Sequence, residues 1–319
     1  MKDLEGKVAV VTGSSRGAGR GIACVLGERG ATVYVTGRST RGGPATDNLP
    51  GTIEDTAEEV TRRGGRGIPV RVDHTRDPEV EALFSRVRQQ HGRLDLLVNN
   101  VWGGYEGPGI RPSPFWRAPL RLWDAMFVAG FRAHLVATWF ALPLMLGASD
   151  STPRTSAAPD PTPPRRPPAR PRGLIVSTVA WDHDKYLGSF YDLAKHSIVR
   201  MMWGLATELR PFGIATVAVA PGFMRTERVL KAFGAGEDNW RKFKGLKRTE
   251  TPEYVGRAVA ALAADPRVLR STGRTFCAGE LARIYGFTDV DGRRVPPFNT
   301  GPSFNALIRR FYYRQAGRS

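Results

Sequence analysis

The sequence predicts an α/β protein whose core is a doubly wound sheet of seven parallel strands in a single domain. Short β-branched runs alternate with longer helical patterns, and a glycine-rich turn follows the first run. The runs are apolar throughout, which indicates strands that helices cover on both faces. Together these three observations indicate a Rossmann-like fold, and 319 residues suffice for one large domain of this kind.

The elements follow in order along the chain. Predicted strands cover residues 7–11, 32–36, 68–72, 94–98, 174–177, 215–220 and 275–278. Helical periodicity predicts connecting helices at about 17–29, 52–63, 78–91, 120–146, 190–210 and 252–264. We expect every strand–helix–strand connection in this sheet to be right-handed.

Charge and cysteine content limit the classes of function. The chain carries 47 Lys and Arg against 30 Asp and Glu, a formal charge of +17 that favours anionic ligands. A polyanion or membrane-surface partner rests on this charge alone, and we expect neither nucleic acid nor membrane as a partner. Residues 125–146 are long enough to span a bilayer, but Arg132 and His134 near the middle favour a core or interface helix.

The compartment is inferred from the cysteines and from the first residues. Cys24 and Cys277 are far apart and form neither a disulfide framework nor a metal or redox motif. The first residues enter a strand directly, without the apolar run and cleavage site of a signal peptide. We therefore expect a cytoplasmic location.

A phosphate-binding loop is predicted after the first strand. Gly13, Gly17 and Gly19 stand in the stretch "VTGSSRGAGRG", between a strand and a helix with apolar periodicity. Glycines let the backbone turn sharply and approach a pyrophosphate, and the helix N-terminus supplies free N–H groups. A purely structural glycine turn is the alternative.

The end of the second strand indicates which dinucleotide binds. An acidic residue there would hold a ribose 2′-hydroxyl, whereas an arginine suits a 2′-phosphate. The chain has Arg38 at this place, with Ser39 and Thr40 beside it and Arg16 in the glycine loop. NADP is therefore favoured over NAD, and the alternative is that Arg38 merely faces solvent.

Tyr191 and Lys195 are the candidate catalytic pair. They stand four residues apart on a predicted helix, so their side chains share a face at the border of its apolar stripe. A tyrosine has a pKa near 10 in isolation, and a neighbouring ammonium favours the phenolate. The spacing therefore suits a tyrosine that transfers a proton at ordinary pH.

Several motifs in this order resemble the short-chain dehydrogenase/reductase family, of the classical type. The resemblance spans about residues 4–279, and its motifs are "TGSSRGAG" at 12–19, "VD" at 72–73, "NN" at 99–100, "YDLAK" at 191–195 and "PGFMRT" at 221–226. It implies an oxidoreductase that moves hydride between NADP(H) and a carbonyl or secondary alcohol. Tyr191 is then the general acid/base and Lys195 its partner.

The resemblance also implies a cofactor site, with Asp73 near the adenine and Thr226 near the nicotinamide carboxamide. It further implies a homodimer or homotetramer that pairs through the long helices. The implied cofactor-binding residues are Gly13, Ser15, Arg16, Gly17, Gly19, Arg38, Ser39, Asp73, His74, Asn99, Val101, Tyr191, Lys195, Pro221, Gly222 and Thr226.

Three positions depart from the family pattern. A catalytic hydroxyl is expected thirteen residues before Tyr191, which falls on Thr178, although the adjacent Ser177 could also serve. The family's catalytic asparagine falls on Gly130, so water or backbone must replace it or activity is reduced. Trp102 replaces a small glycine. These features resemble a branch typified by mammalian dehydrogenase/reductase member one, which also lacks the asparagine.

Aromatic side chains after the strand ends predict a largely apolar substrate pocket, although several of them could simply cover the core. The pocket candidates are Trp102, Trp181, Tyr186 and Phe223. Three consecutive residues rarely bind one metal ion together, and this applies to Asp182, His183 and Asp184. We therefore expect these residues to form a polar rim beside the catalytic hydroxyl, and we expect no metal. A second class of function, an NADP-binding sensor or scaffold with little turnover, is supported by the missing asparagine.

The domain boundaries follow from composition. We predict a dinucleotide-binding catalytic domain at residues 1–290 and a C-terminal extension at 291–319 that packs on the domain or trails from it. The segment 148–172 is rich in Pro, Ser, Thr and Arg and has little to bury, so it is predicted to be a disordered insertion. A polyproline-binding partner for this segment is the alternative to a tolerated surface insertion.

Overall fold

The computed structural model contains one seven-stranded sheet in which all strands are parallel. The strands are β1 Val8–Val11, β2 Thr32–Gly37, β3 Arg66–Arg71, β4 Leu96–Asn99, β5 Gly173–Thr178, β6 Ile214–Ala220 and β7 Thr275–Cys277. Their order is β3-β2-β1-β4-β5-β6-β7, and it reverses direction between β1 and β4. The predicted doubly wound, single-domain fold is confirmed. The structure describes residues 2–43, 45–104, 106, 114–147, 162, 164, 168, 170–180 and 188–298.

Eight α-helices accompany the strands within these residues. They are α1 Gly17–Glu28, α2 Ile53–Arg62, α3 Asp77–His91, α4 Ala133–Leu146, α5 Ser189–Leu209, α6 Glu227–Phe233, α7 Pro252–Ala264 and α8 Ala278–Tyr285. A π-helical segment, Asp124–Arg132, leads directly into α4. The sequence pattern did not predict α8, because a helix of 8 residues is too short to show a clear period.

Each face of the sheet carries its own apolar core. Alternate strand residues such as Val33 and Val217 pack on α1, α2 and α7, whereas Val10 and Ile175 pack on α3, α4 and α5. Because both faces are covered, a strand such as β5 is buried along its whole length. Polar side chains can therefore lie close together only at the ends of the strands.

The connection between β6 and β7 corrects one prediction. A right-handed crossover would place α7 on the face that carries α5, but α7 packs beside α1 on the opposite face. The prediction of right-handed connections throughout is therefore wrong for this one. A long segment containing α6 separates β6 from α7, which gives the chain the length to change faces. Backbone contact then fixes α7, since a Cβ on Gly21 would lie 2.2 Å from the Pro252 carbonyl oxygen.

The helix that includes the π-helical segment, Asp124–Leu146, is the one candidate membrane span among the described residues. Length and apolar composition qualify it, but the core helix of a soluble protein passes the same test. Here α4 contacts α3, β4 and β5, and the π-helical segment contacts α5. The helix Asp124–Leu146 is therefore one of the helices that pack on the sheet.

Two predicted segments fall mostly outside the described residues. Of the insertion at 148–172, only 162, 164, 168 and 170–172 are described, and of the extension at 291–319, only 291–298. Within the extension, the Val295 side chain is buried and its carbonyl accepts a 2.7 Å hydrogen bond from Tyr254 Oη. The proposed domain boundaries stay predictions.

Candidate active site

A cleft of about 510 Å³ opens at the carboxyl edge of the sheet. Residues that follow each of the first six strands line it, as expected for a doubly wound fold. Among the predicted site residues, the lining set is Gly13, Ser15, Arg16, Gly17, Arg38, Ser39, Asp73, His74, Val101, Trp102, Thr178, Tyr191, Lys195, Pro221, Gly222, Phe223 and Thr226.

The turn between β1 and α1 needs glycine at two positions. Gly13 has φ +64°, and a Cβ there would lie 2.8 Å from the Val101 Cα. A Cβ on Gly19 would lie 2.3 Å from the Gly13 carbonyl oxygen. The backbone is thus as close as glycine allows, and the α1 N-terminus faces the cleft through Gly17.

Asn100 joins three strand ends. Its Nδ2 donates to the carbonyl oxygens of Thr12 and Gly13 at 3.1 and 2.9 Å, and its Oδ1 accepts from Thr178 Oγ1 at 3.3 Å. Thr12 Oγ1 in turn accepts from the backbone N–H groups of Asn100 and Val101, at 2.9 and 3.1 Å. These bonds fix the glycine loop relative to β4 and β5.

Asn99, the neighbouring residue and the one predicted from the motif, is fully buried and does not line the cleft. Its Nδ2 donates to Thr138 Oγ1 on α4 at 2.9 Å. Successive side chains of a strand point to opposite sides, so only one of two adjacent asparagines can face the turn. The structure gives that place to Asn100, which sequence reasoning did not select as a site residue.

Two arginines frame the cleft beside β2. Arg38 pairs with Glu106, and both line the cleft. The Arg16 guanidinium donates to Ser39 Oγ and to the Gly51 carbonyl oxygen, each at 3.0 Å, and so ties the glycine loop to the loop after β2. Arg16 therefore braces the cleft wall, whereas Arg38 is held by a carboxylate.

The chain's own carboxylates show that the cleft accepts anions. Glu227 of α6 accepts a 3.0 Å hydrogen bond from the Gly17 backbone N–H at the start of α1. The Glu106 carboxylate likewise forms an ion pair with the Arg38 guanidinium. A helix N-terminus and a guanidinium are both good partners for phosphate, so the residues present fit a dinucleotide. Glu227 and Glu106 were missed because their roles depend on loop placement.

The polar residues after β3 are Asp73 and His74. Asp73 Oδ1 accepts from the Thr75 backbone N–H at 3.0 Å and from Thr75 Oγ1 at 2.7 Å. Burial raises the pKa of Asp73, but these hydrogen bonds together with the nearby positive charge of Arg38 hold the pKa below its usual value. The His74 ring is buried and its Nε2 lies 2.8 Å from Thr36 Oγ1.

Tyr191 and Lys195 of α5 come together at the cleft as the helical spacing predicts. Both are buried, with exposed fractions of 6 and 7%. Burial lowers the pKa of the Lys195 amine to about 7, because a buried ammonium loses its hydration. Small changes around Lys195 can therefore change its charge near neutral pH.

The structure separates the two candidate hydroxyls. Thr178 lines the cleft with Tyr191, whereas Ser177 does not. Ser177 Oγ donates to Met202 Sδ at 3.2 Å, on the face of the sheet that α5 covers. Thr178 is therefore the residue whose hydroxyl can reach a substrate in the cleft.

Aromatic residues form part of the remaining wall. Trp102 and Phe223 line the cleft, and Phe298 of the C-terminal segment joins them with its ring 6.4 Å from that of Phe223. Sequence reasoning missed Phe298, since the segment around it has no period. Trp181 and Tyr186 lie outside the described residues, as do Asp182, His183 and Asp184. Among the residues that are described, no group of three or more potential ligands could hold a metal ion.

A doubly wound parallel sheet with a glycine loop, an anion-binding helix N-terminus and a tyrosine–lysine pair in one cleft defines a dinucleotide-binding oxidoreductase. The family model described as short chain dehydrogenase matches residues 7–152, and the model described as enoyl-(acyl carrier protein) reductase matches 172–277. The chain belongs to the short-chain dehydrogenase/reductase family, whose members are hydride-transfer oxidoreductases with nicotinamide cofactors.

Relatives place the chain in one branch of this family. Dehydrogenase/reductase SDR family member 1 of mouse is 35% identical over 92% of this chain and 87% of the relative. The human protein of the same name is 34% identical over the same shares. The predicted branch is therefore confirmed. A 3-oxoacyl-[acyl-carrier-protein] reductase of Synechocystis is 27% identical over 86% of this chain and 96% of its own length.

Solved structures agree on the fold. A short chain dehydrogenase from Mycobacterium thermoresistibile superimposes with a TM-score of 0.71 and 25% identity, covering 93% of this chain and 94% of that one. A hydroxysteroid dehydrogenase from Escherichia coli has a TM-score of 0.63 at 21% identity, with 86 and 96% of the two chains covered, and it supports the fold alone.

The buried imidazole of His74 predicts a loss of stability in acid. Burial lowers the pKa of His74 to about 4, whereas an unfolded histidine titrates near 6.5. Between these two pKa values His74 is protonated in the unfolded chain and neutral in the native state, so the free energy of unfolding falls as pH falls. From pH 7 to 5 this fall should be roughly 2 kcal/mol larger in the wild type than in His74→Gln.

Urea unfolding of both proteins over pH 5–7 measures this difference. The quantity compared is the change in the free energy of unfolding between pH 7 and 5 in each protein, so any constant effect of the substitution on stability cancels. The free energies of unfolding of the two proteins should converge as pH falls; if they changed in parallel, His74 would not be the group responsible.

Proposed function

We propose that the protein is an NADP-dependent oxidoreductase that moves hydride between NADP(H) and a carbonyl or secondary alcohol. The supporting observation is that Tyr191, Lys195 and Thr178 line the same cleft as the glycine loop. NADP(H), when bound, would supply or accept the hydride. The chain's own residues would bind it, orient the substrate and move the proton.

Proton transfer is assigned to Tyr191. Its phenol would donate to the oxygen of a carbonyl substrate, or accept the proton of an alcohol in the reverse direction. The Lys195 ammonium, one turn away, would favour the phenolate. Thr178 Oγ1 would hydrogen-bond the substrate oxygen, exchanging its long 3.3 Å bond to Asn100 for it.

The cofactor preference is assigned to Arg38. It stands where the ribose 2′-position is expected after β2, and its carboxylate partner Glu106 is half-exposed, so a phosphate could replace it. Asp73 and Thr226 are proposed at the adenine and at the nicotinamide carboxamide. Both line the cleft.

An apolar carbonyl or alcohol is the proposed substrate class. Trp102, Phe223 and Phe298 supply aromatic wall around the reacting groups. The name of the Synechocystis relative, a 3-oxoacyl reductase, is consistent with a ketone as the reacting group. We propose a cytoplasmic location, which is supported by the observation that Cys24 and Cys277 form no disulfide and that Cys24 is buried. The proposed partners include neither nucleic acid nor membrane.

Tyr191→Phe should remove turnover while cofactor binding persists. We expect the rate of NADPH oxidation over a panel of quinones, ketones and aldehydes to fall by at least about 100-fold, since general acid catalysis contributes this much or more. The dissociation constant for NADPH, measured by nucleotide fluorescence, should change less than about threefold, because Phe keeps the ring and the many other residues that line the cleft are unchanged.

Full activity of the Phe variant would contradict the mechanism. NADPH binding by the wild type with no turnover on any substrate would favour the second class of function, a sensor or scaffold. The observation behind that class is Gly130, which offers no side chain to the proton route.

Arg38→Ala should weaken NADPH binding selectively. Hydrogen bonds to charged groups contribute about 1.5–3 kcal/mol, so we expect a roughly 10- to 100-fold increase in the NADPH dissociation constant. NADH, which lacks the 2′-phosphate, should be affected less than about threefold. Arg41→Ala is the matched control, because Arg41 pairs with Asp55 and Glu58 and does not line the cleft. Equal effects on both nucleotides would assign Arg38 no part in the choice.

A second copy of this chain is the proposed partner of α4 and α5. The family typically forms oligomers. Four large apolar side chains on these helices are 43 to 59% exposed, namely Leu135, Trp139, Leu193 and Trp203. Large apolar side chains exposed on the same two helices are costly in water, and this exposure supports an interface on these helices.

Sedimentation velocity of the wild type should therefore show a dimer or tetramer, and Trp139→Glu should shift it toward monomer. Ile284→Glu, at an exposed apolar residue of α8, is the control that should leave the assembly unchanged. A monomeric wild type would contradict the proposed interface.

A further inference from the structure

The indole ring of Trp102 fills the space beside Gly130. A Cβ on Gly130 would lie 2.7 Å from Cζ3 and 2.8 Å from Cε3 of this ring. A Cβ on Gly104 would lie 2.7 Å from Cζ2 of the same ring. The ring thus sits in a slot between two glycine backbones, and any side chain at position 130 would collide with it.

The same ring contacts both members of the proposed catalytic pair. The Lys195 ammonium lies over its face, 3.7 Å from the ring centroid, in cation–π geometry. The Tyr191 ring meets it edge to face, with centroids 5.5 Å apart and an interplanar angle of 85°. Trp102 therefore lies between the backbone at Gly130 and the two side chains that would move the proton.

We propose that Trp102 is a positioning residue that takes the place of the missing asparagine: its ring occupies the space a side chain at position 130 would need, and its face holds the Lys195 ammonium beside Tyr191. The proposal rests on the proposed roles of Tyr191 and Lys195. It explains why position 130 is a glycine, because only a glycine leaves room for the ring. The two departures from the family pattern, Trp102 and Gly130, are therefore linked.

Electrostatics gives the ring a measurable task. Burial lowers the pKa of Lys195 to about 7. The π face acts in the opposite direction, because it attracts the ammonium and not the neutral amine. Among the described residues, the titratable groups beside Lys195 include Tyr191 on α5 and His134 on α4, and burial lowers the pKa of His134 to about 3, so it stays neutral. The ring therefore helps Lys195 to keep its proton near pH 7.

The first experiment measures that pKa directly in the cofactor-free full chain. NMR of lysine side-chain nitrogens follows the titration of Lys195, and the Lys195→Met variant assigns its signal. Trp102→Leu keeps an apolar side chain but removes the π face, so the pKa of Lys195 should fall by roughly one unit. Trp102→Phe keeps a ring face and should restore most of this shift.

Equal Lys195 pKa values in the wild type, Trp102→Leu and Trp102→Phe would overturn the electrostatic role. If Trp102→Leu does not fold, Trp102→Met takes its place, because Met is also apolar, has no π face and should lower the pKa of Lys195 in the same direction. Enzyme turnover does not enter this measurement. Failure of the proposed oxidoreductase activity and failure of this inference are therefore distinguishable.

The second experiment tests the shared space through a double-mutant cycle in thermal unfolding. Gly130→Asn should lower Tm because Asn collides with the ring, and Trp102→Gly should lower it because the slot is left empty. The double variant gives the asparagine the ring's place, so its loss of Tm should be smaller than the sum of the two single losses. Additive losses, or a Gly130→Asn protein as stable as the wild type, would show that positions 102 and 130 do not share one space.

Discussion

The site depends first on the hydrogen bonds that Asn100 makes among the ends of β1, β4 and β5. Parallel strands end at one edge, but their loops diverge unless something connects them. Asn100 uses its amide donors on the turn of β1 and its carbonyl on Thr178 of β5. Since Asn100 is partly buried, losing this amide would leave the Thr12 and Gly13 carbonyl oxygens without its hydrogen bonds and would remove the side-chain link between the glycine loop and β4.

The sequence predicted what is local. A strand, a glycine turn and a helix are encoded within about twenty residues, Val8 to Glu28, and the Tyr191–Lys195 pair needs only one helical turn. Which of two adjacent residues faces the cleft is different, because strand alternation must be anchored to a known start. Spacing favoured Thr178 over Ser177, and Thr178 is the one that lines the cleft, whereas the motif pointed to Asn99 and the cleft is lined by Asn100.

What the sequence could not predict is contact between distant segments. Trp102 and Gly130 were each seen as a departure, but their contact depends on how a loop and a π-helical segment meet. Glu227 reaches the cleft from the start of α6 and Phe298 from the C-terminal segment, and nothing local predicts where they point. The face on which α7 packs is decided in the same way, by a fit between helix backbones that no strand–helix pattern encodes.

That position of α7 has a consequence for how the chain folds. Gly21 of α1 touches Pro252 and Gly256 of α7, so α1 packs on a helix that is translated more than 200 residues later. During synthesis, the apolar residues around Ile22 and Val25 must remain without this cover until α7 has emerged. Contacts between such distant residues close large loops and slow folding. The first β–α–β unit, although it carries the most recognisable motif, should therefore be among the last parts of the molecule to become fully packed.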